Sequence, residues 1–251
     1  MKQEYRPDAF PGRQFFFLLA QPPCFVMPGS TPLLLNADLS RRAVVAPPRY
    51  EWLASPQAGV DRVMLDRVGA EQARATSLVR YAPGSSFPPH AHPGGEEILV
   101  LSGTFSDEDG HYPEGWYLRN PPGSGHRPFS TEGALIFVKL RQMAADETRR
   151  VRIDTRNPSA WLFQEDREVC PLYAGAAERV CLQRLPAGTA LPVSGAGGAE
   201  LLVLAGDIAA DAHAYGRGSW IRLPPEDRPG WRAGPRGATV YLKTGHLAVE
   251  A

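Results

Sequence analysis

Gly84-Ser-Ser-Phe-Pro-Pro-His90-Ala-His92-Pro-Gly-Gly-Glu96-Glu97-Ile-Leu-Val-Leu-Ser-Gly103 is the stretch from which the fold can be read. Side chains of an extended strand alternate between faces, so His90 and His92 point the same way. Pro93-Gly94-Gly95 is a turn that folds the chain back and presents Glu96 beside the two rings. Glu97 begins an apolar run that stops at a glycine turn, Gly103, and reads as a buried strand.

Working outward, Pro121-Pro-Gly-Ser-Gly-His126 places one more histidine after a glycine-rich turn, 30 residues beyond Glu96. Trp116–Arg119 and Leu135–Leu140 read as further strands, the first stopped by Asn120-Pro-Pro. His90, His92, Glu96 and His126 are therefore candidate ligands of one divalent metal ion. Three neutral imidazoles and a carboxylate suit zinc, iron, manganese, nickel or copper, and the donor set does not choose among them. Glu97 is the competing carboxylate. If the strand has begun there, Glu97 faces away from Glu96.

The chain repeats itself. Gly103, Tyr112, Gly115, Arg119, Pro121 and Pro122 recur 103 residues later as Gly206, Tyr215, Gly218, Arg222, Pro224 and Pro225. Gly133-Ala-Leu-Ile-Phe-Val-Lys139 recurs 104 residues later as Gly237-Ala-Thr-Val-Tyr-Leu-Lys243. Each repeat is about 100 residues of short apolar runs and turn signals, the pattern of a sandwich or barrel. Glycine and proline, 25 each, suit many short strands better than long helices.

Gly84, His90, His92, Glu96 and Gly103 stand at the spacing of the first cupin motif, and Gly115, Pro121, Gly123 and His126 at that of the second. Ser130 stands where the second motif ends in asparagine. More narrowly, the run from Gly94 to Gly103, Phe105-Ser-Asp-Glu-Asp-Gly, Asn120-Pro-Pro-Gly-Ser-Gly-His and Gly218-Ser-Trp-Ile-Arg resemble the ChrR-like cupins, as does Lys243-Thr-Gly-His246-Leu. The resemblance implies an all-β protein of two tandem, jelly-roll-like cupin barrels, a bicupin. An irregular N-terminal arm occupies residues 1–36, a metal-binding barrel 37–147 and a degenerate, metal-free barrel 148–251, with the boundary in the charged stretch Asp146–Arg152. In that family the three histidines and the glutamate bind zinc in an anti-sigma factor. Relatives with the same ligand types bind iron and cleave ketones or diketones with oxygen.

Two departures qualify what the resemblance implies. The anti-sigma relatives carry a helical N-terminal domain with its own His/Cys zinc site. Residues 1–36, rich in phenylalanine and proline, hold Cys24 and no histidine, which disfavours holding a sigma factor, the partner the resemblance implies, by the usual route. Met27, followed by Pro28-Gly29-Ser30, offers an alternative start. In the second repeat Ser194 replaces the first histidine, Ala199 answers to Glu96 and Glu200 to Glu97, while Arg228, Pro229 and Gly230 stand where the last histidine belongs. Serine and alanine cannot replace imidazoles at a divalent site. His213 and His246 lack companions at ligand spacing, and His111 reads as a loop residue after Asp109-Gly110.

The charges balance, with 27 Lys+Arg against 27 Asp+Glu, which disfavours nucleic acid as a partner. No apolar run approaches the ~20 residues of a membrane span. Three widely spaced cysteines fit a reducing cytoplasm. The expected partners are a small-molecule ligand or substrate and a second copy of the chain, since open sheet edges need covering. The expected cofactor is one divalent ion, zinc or iron(II) first, manganese or nickel next. Three functions follow: a small-molecule or oxidant-responsive sensor, a non-haem iron(II) dioxygenase with Arg80, Tyr81 and Trp116 as candidate pocket residues, or a purely structural metal site.

Overall fold

The computed structural model describes residues 34–69, 72–193, 197–227 and 229–247. The strands of the first repeat are β1 (Ala43–Val45), β2 (Leu53–Ala54), β3 (Val60–Val68), β4 (Arg74–Tyr81), β5 (Ser85–Ser86), β6 (His90–His92), β7 (Glu96–Asp107), β8 (Gly110–Pro113), β9 (Trp116–Asn120), β10 (Ser124–His126), β11 (Phe129–Ser130) and β12 (Ala134–Leu140). Those of the second are β13 (Val151–Asp154), β14 (Leu162–Gln164), β15 (Arg167–Ala174), β16 (Arg179–Leu185), β17 (Ala199–Ala210), β18 (His213–Gly216), β19 (Trp220–Leu223) and β20 (Arg232–Thr244). Two three-residue 3-10 turns are the only helical elements among the described residues, so the all-β expectation holds.

One sheet runs β13-β9-β7-β12-β4-β3-β2, the other β1-β19-β17-β20-β16-β15-β14, and β6 and β10 pair as a separate ladder. Sheet membership does not follow the order of the repeats. β1 pairs with β19, Ala43 opposite Arg222, and β13 pairs with β9, Val151 opposite Arg119. Each repeat thus lends its opening strand to the other's sheet, crossing the boundary placed at 147/148. Residues 1–33 of the arm lie outside the described residues. Its last residues are docked on β3, where Leu35 exchanges backbone hydrogen bonds with Arg67 and Asn36 Nδ2 donates to Leu65 O at 2.7 Å.

Strand alternation sorts the apolar side chains into three cores. Ile98, Val100, Leu118, Ile136 and Val138 fill the first barrel. Leu201, Val203, Ile221, Val240 and Leu242 fill the second. Leu78, Leu99, Tyr117 and Phe137 of one sheet meet Leu182, Leu202, Trp220 and Tyr241 of the other. Burying each such side chain is worth about 1.5–3 kcal/mol, so the contact between the sheets is a core in its own right.

Gly103 does not end its strand. β7 continues to Asp107 through a bulge, where Leu135 pairs with Ser102 and Ile136 with Val100. Gly103 has φ +69°, and a Cβ there would lie 2.1 Å from Gly133 O, so only glycine fits. The extra residue reverses the alternation: Glu96, Ile98 and Val100 face the barrel interior before it, Phe105 and Asp107 after it. The second repeat copies the device at Gly206, φ +65°.

Candidate metal centre

β6 and β10 form a short antiparallel ladder with His126 opposite His90 and Ser124 opposite His92. The strands can approach because position 125 is glycine; a Cβ there would sit 2.8 Å from His90 O. His90 and His92, two apart on β6, share a face, and register puts His126 on it too. The turn after β6 is closed by Gly95 N donating to His92 O at 3.1 Å, which delivers Glu96 at the first position of β7.

Each of His90, His92, Glu96 and His126 offers a ligand atom, and these four atoms lie within 4.8 Å of one another. Glu96 Oε2 is 3.5 Å from His92 Nε2 and 3.4 Å from His126 Nε2. The three ring centroids are 4.7–5.2 Å apart, with planes at 72–80°. His92, Glu96 and His126 are buried; His90 is exposed at the barrel mouth. The buried Nε2 atoms of His92 and His126 have no hydrogen-bond partner in the protein. A buried imidazole nitrogen without a partner is costly, and two aimed at one carboxylate oxygen form a donor set that a cation fits.

Neighbours fix the ligand orientation. His90 Nδ1 lies 3.0 Å from Pro88 O and His126 Nδ1 3.2 Å from Asp107 Oδ2. A carbonyl and a carboxylate only accept, so each Nδ1 carries the proton and each Nε2 keeps its lone pair for the centre. Asn120 Nδ2 donates to Glu96 Oε2 at 3.0 Å, and Arg152 fixes that amide by donating to Asn120 Oδ1 at 2.7 Å. Burial lowers the pKa of His92, with Glu96 opposing it and the other two histidines adding to it. Burial would lower His126 as well, but Asp107 and Glu96 outweigh it and leave it raised. Asp107, which burial alone would raise, is held low by its bond to His126. Phe87 and Phe105 flank His90 and His126, and Tyr81 packs on both phenylalanines.

The β-barrel architecture carries its likeness to known proteins. Residues 40–144 match the ChrR cupin-like domain family. No curated protein sequence matches the chain. Among solved structures, a protein from Pseudomonas aeruginosa described as a candidate glyoxylate-induced protein superposes with TM-score 0.68 at 13% identity, over 89% of this chain and 94% of that one. A protein from Nostoc punctiforme described as a candidate dioxygenase gives TM-score 0.66 at 13% identity, over 84% and 85% of the two chains. A bacterial pirin from Escherichia coli, solved with nickel(II), gives 0.59 at 12%, over 81% and 98%.

The fold is that of the cupins.

Within this fold, the other sequence candidates go elsewhere. Glu97, next to Glu96, faces the opposite side of β7 and enters the core between the barrels, where it accepts from Lys243 and Tyr241. Arg80 pairs with Asp61 at 2.8 Å and stacks on Trp52, away from the centre. Trp116 packs on Tyr112. Tyr81 alone of the three lies near the ligands, its hydroxyl pKa raised by burial and by Glu96. His111 is a strand residue of β8, bonded to Ser106 Oγ at 2.9 Å, because the two-residue turn falls at Glu108-Asp109. His246 is buried and contacts Glu200 Oε2 at 3.2 Å; His213 lies exposed against its own Asp211 O. Ser130, in place of the family's asparagine, donates to Thr104 O at 2.7 Å and ties β11 to β7.

Asp107 and Asn120 escaped the sequence reading. Both lie in the quoted motifs, but only the bulge at Gly103 and the β7–β9 pairing turn them toward the ligands. The second barrel offers none of this set among its described residues. Counting 103 along, Glu96 becomes Ala199, Asp107 becomes Ala210 and Asn120 becomes Leu223, all three within its hydrocarbon core beside Trp231. Ser194 and Arg228 lie outside the described residues; Pro229 and Gly230 bring no ligand atom.

Proposed function

We propose that His90, His92, Glu96 and His126 hold one divalent metal ion, zinc or iron(II), and that the chain is a metal-dependent binding protein responsive to a small molecule or oxidant. The observation that carries this is the pair of buried, unpartnered Nε2 atoms converging with Glu96 Oε2. Bound there, the ion would supply a Lewis acid or, if iron, a redox centre. The protein's own groups hold the ligands still: Asp107 keeps the proton on His126 Nδ1, Asn120 fixes Glu96, and the aromatic wall excludes water. Exposed His90 is the side from which a small molecule arrives. A change at Glu96 is one residue from Glu97, whose ion pairs join the barrels, which favours a sensing role. The second barrel, with hydrocarbon at the ligand positions, acts as a metal-free support in this reading.

A second reading, an iron(II) dioxygenase acting on a ketone or diketone, draws on the same open side at His90 and on the likeness to the candidate dioxygenase from Nostoc. Elemental analysis of protein purified without added metal, with oxygen uptake measured on ketones and diketones, separates the two. Zinc without turnover supports the sensor; iron with substrate-dependent uptake supports the enzyme. Full metal occupancy in His90→Ala would remove the ligand assignment beneath both.

A further inference from the structure

The two sheets that meet across the barrel boundary leave a cavity of about 210 Å³ between them. Its walls are repeat counterparts in pairs: Leu78 with Leu182, Leu99 with Leu202, Leu101 with Leu204. The cavity therefore sits where equivalent positions of the two repeats meet. None of the four candidate metal ligands lines it.

Its polar surroundings are committed or balanced. Tyr50 OH donates to Gly218 O, and Thr155 Oγ1 to Gly115 O at 2.6 Å, so neither hydroxyl has its proton free for a ligand. Glu114 and Arg217, also counterparts, stand exposed at the rim with opposite charges that sum to zero. The rim therefore selects neither an anion nor a cation. A charged ligand would lose hydration here without recovering it in a bond, whereas an apolar one fills contacts that the leucines lack. An apolar cavity of about 150 Å³ takes up benzene, so this one has room for a ring with a short side chain.

We propose that the inter-barrel cavity binds one uncharged, apolar small molecule, of the size of a substituted monocyclic hydrocarbon. The proposal stands independently of the metal centre. The test is calorimetric titration of the purified full chain with butylbenzene, with benzoate and benzylamine as charged controls. The expected result is one saturable site per chain, with both controls at least tenfold weaker. Leu101→Trp and Leu204→Trp, which fill the cavity from either barrel, should weaken binding at least tenfold. Arg217→Ser and His90→Ala should leave it within twofold. Should either tryptophan variant fail to fold, proton NOEs from butylbenzene to the methyls of Leu99 and Leu202 in the unmutated chain replace it. Absence of saturable binding, undiminished binding in a folded filling variant, loss of binding in His90→Ala, or NOEs to Phe87 instead would each overturn the proposal.

Discussion

Lys243 Nζ, on the last strand of the second barrel, lies 2.8 Å from Glu97 Oε2 of the first, and both groups are buried. Its counterpart Lys139 reaches from the first barrel to Glu200 of the second. Arg119 joins Glu97 and Glu178, and Arg222 joins Asp66. The two barrels thus exchange buried ion pairs reciprocally. The residues repeated most faithfully, Arg119/Arg222 and Lys139/Lys243, belong to this exchange and not to the metal centre. Breaking a buried pair from one side leaves its partner charged and unsolvated, at a cost of about 3–5 kcal/mol. Glu97→Ala should therefore lower the urea midpoint far more than Glu96→Ala does, both measured in metal-free protein. Equal midpoints would show that the network does not hold the barrels together.

His92→Ala and His126→Ala each remove one of the two buried, unpartnered ring nitrogens. Metal per chain, measured by elemental analysis after dialysis, should fall at least tenfold in both. His213→Ala, exposed and bonded to its own loop, should retain the full content.

Asp107 acts on the centre through His126. Asp107→Asn keeps the shape but loses the charged acceptor that fixes the Nδ1 proton. Changes of this kind cost about 10- to 100-fold in metal affinity. Competition with a chelator should show that loss while saturating metal still gives one ion per chain. Asn120→Leu, which installs the residue of the second barrel, should act in the same direction.

Stability should fall in acid in two stages. Burial holds the His246 pKa down at about 4 from its ordinary 6.5, against the pull of Glu200. The unfolded chain therefore binds a proton between pH 6.5 and 4 that the folded chain refuses, and stability declines as pH drops through that window. Burial alone would raise Glu97, but Lys243 and Arg119 outweigh it and hold it at about 2 from 4.5. Its contribution is present above pH 4.5 and is lost as pH falls toward 2. Urea midpoints measured from pH 7 to 4 should flatten in His246→Asn, which does not titrate there. An unchanged slope would place the acid sensitivity on other groups.

The convergence of the four candidate ligands was legible because it is local. Alternation along β6, a glycine turn before Glu96 and a second glycine turn before His126 bring four residues together through motif spacing and one short ladder. The same alternation separated Glu96 from Glu97. Asp107 and Asn120 were not legible, because a bulge reverses the facing of β7 midway and the Asn120 contact is a cross-strand pairing. His246 was invisible for a related reason: its partner Glu200 lies 46 residues away on another strand.

By itself the sequence determined an all-β chain of two related halves, one carrying the four candidate ligands and the other lacking their counterparts, because these properties reside in composition, period and spacing. Only the tertiary structure decided that β1 and β13 trade sheets, that the repeated arginines and lysines bind across the barrels, and that a leucine-walled space remains where the sheets meet. Those outcomes depend on which face of one strand meets which face of another a hundred residues away, and spacing along the chain carries no record of that.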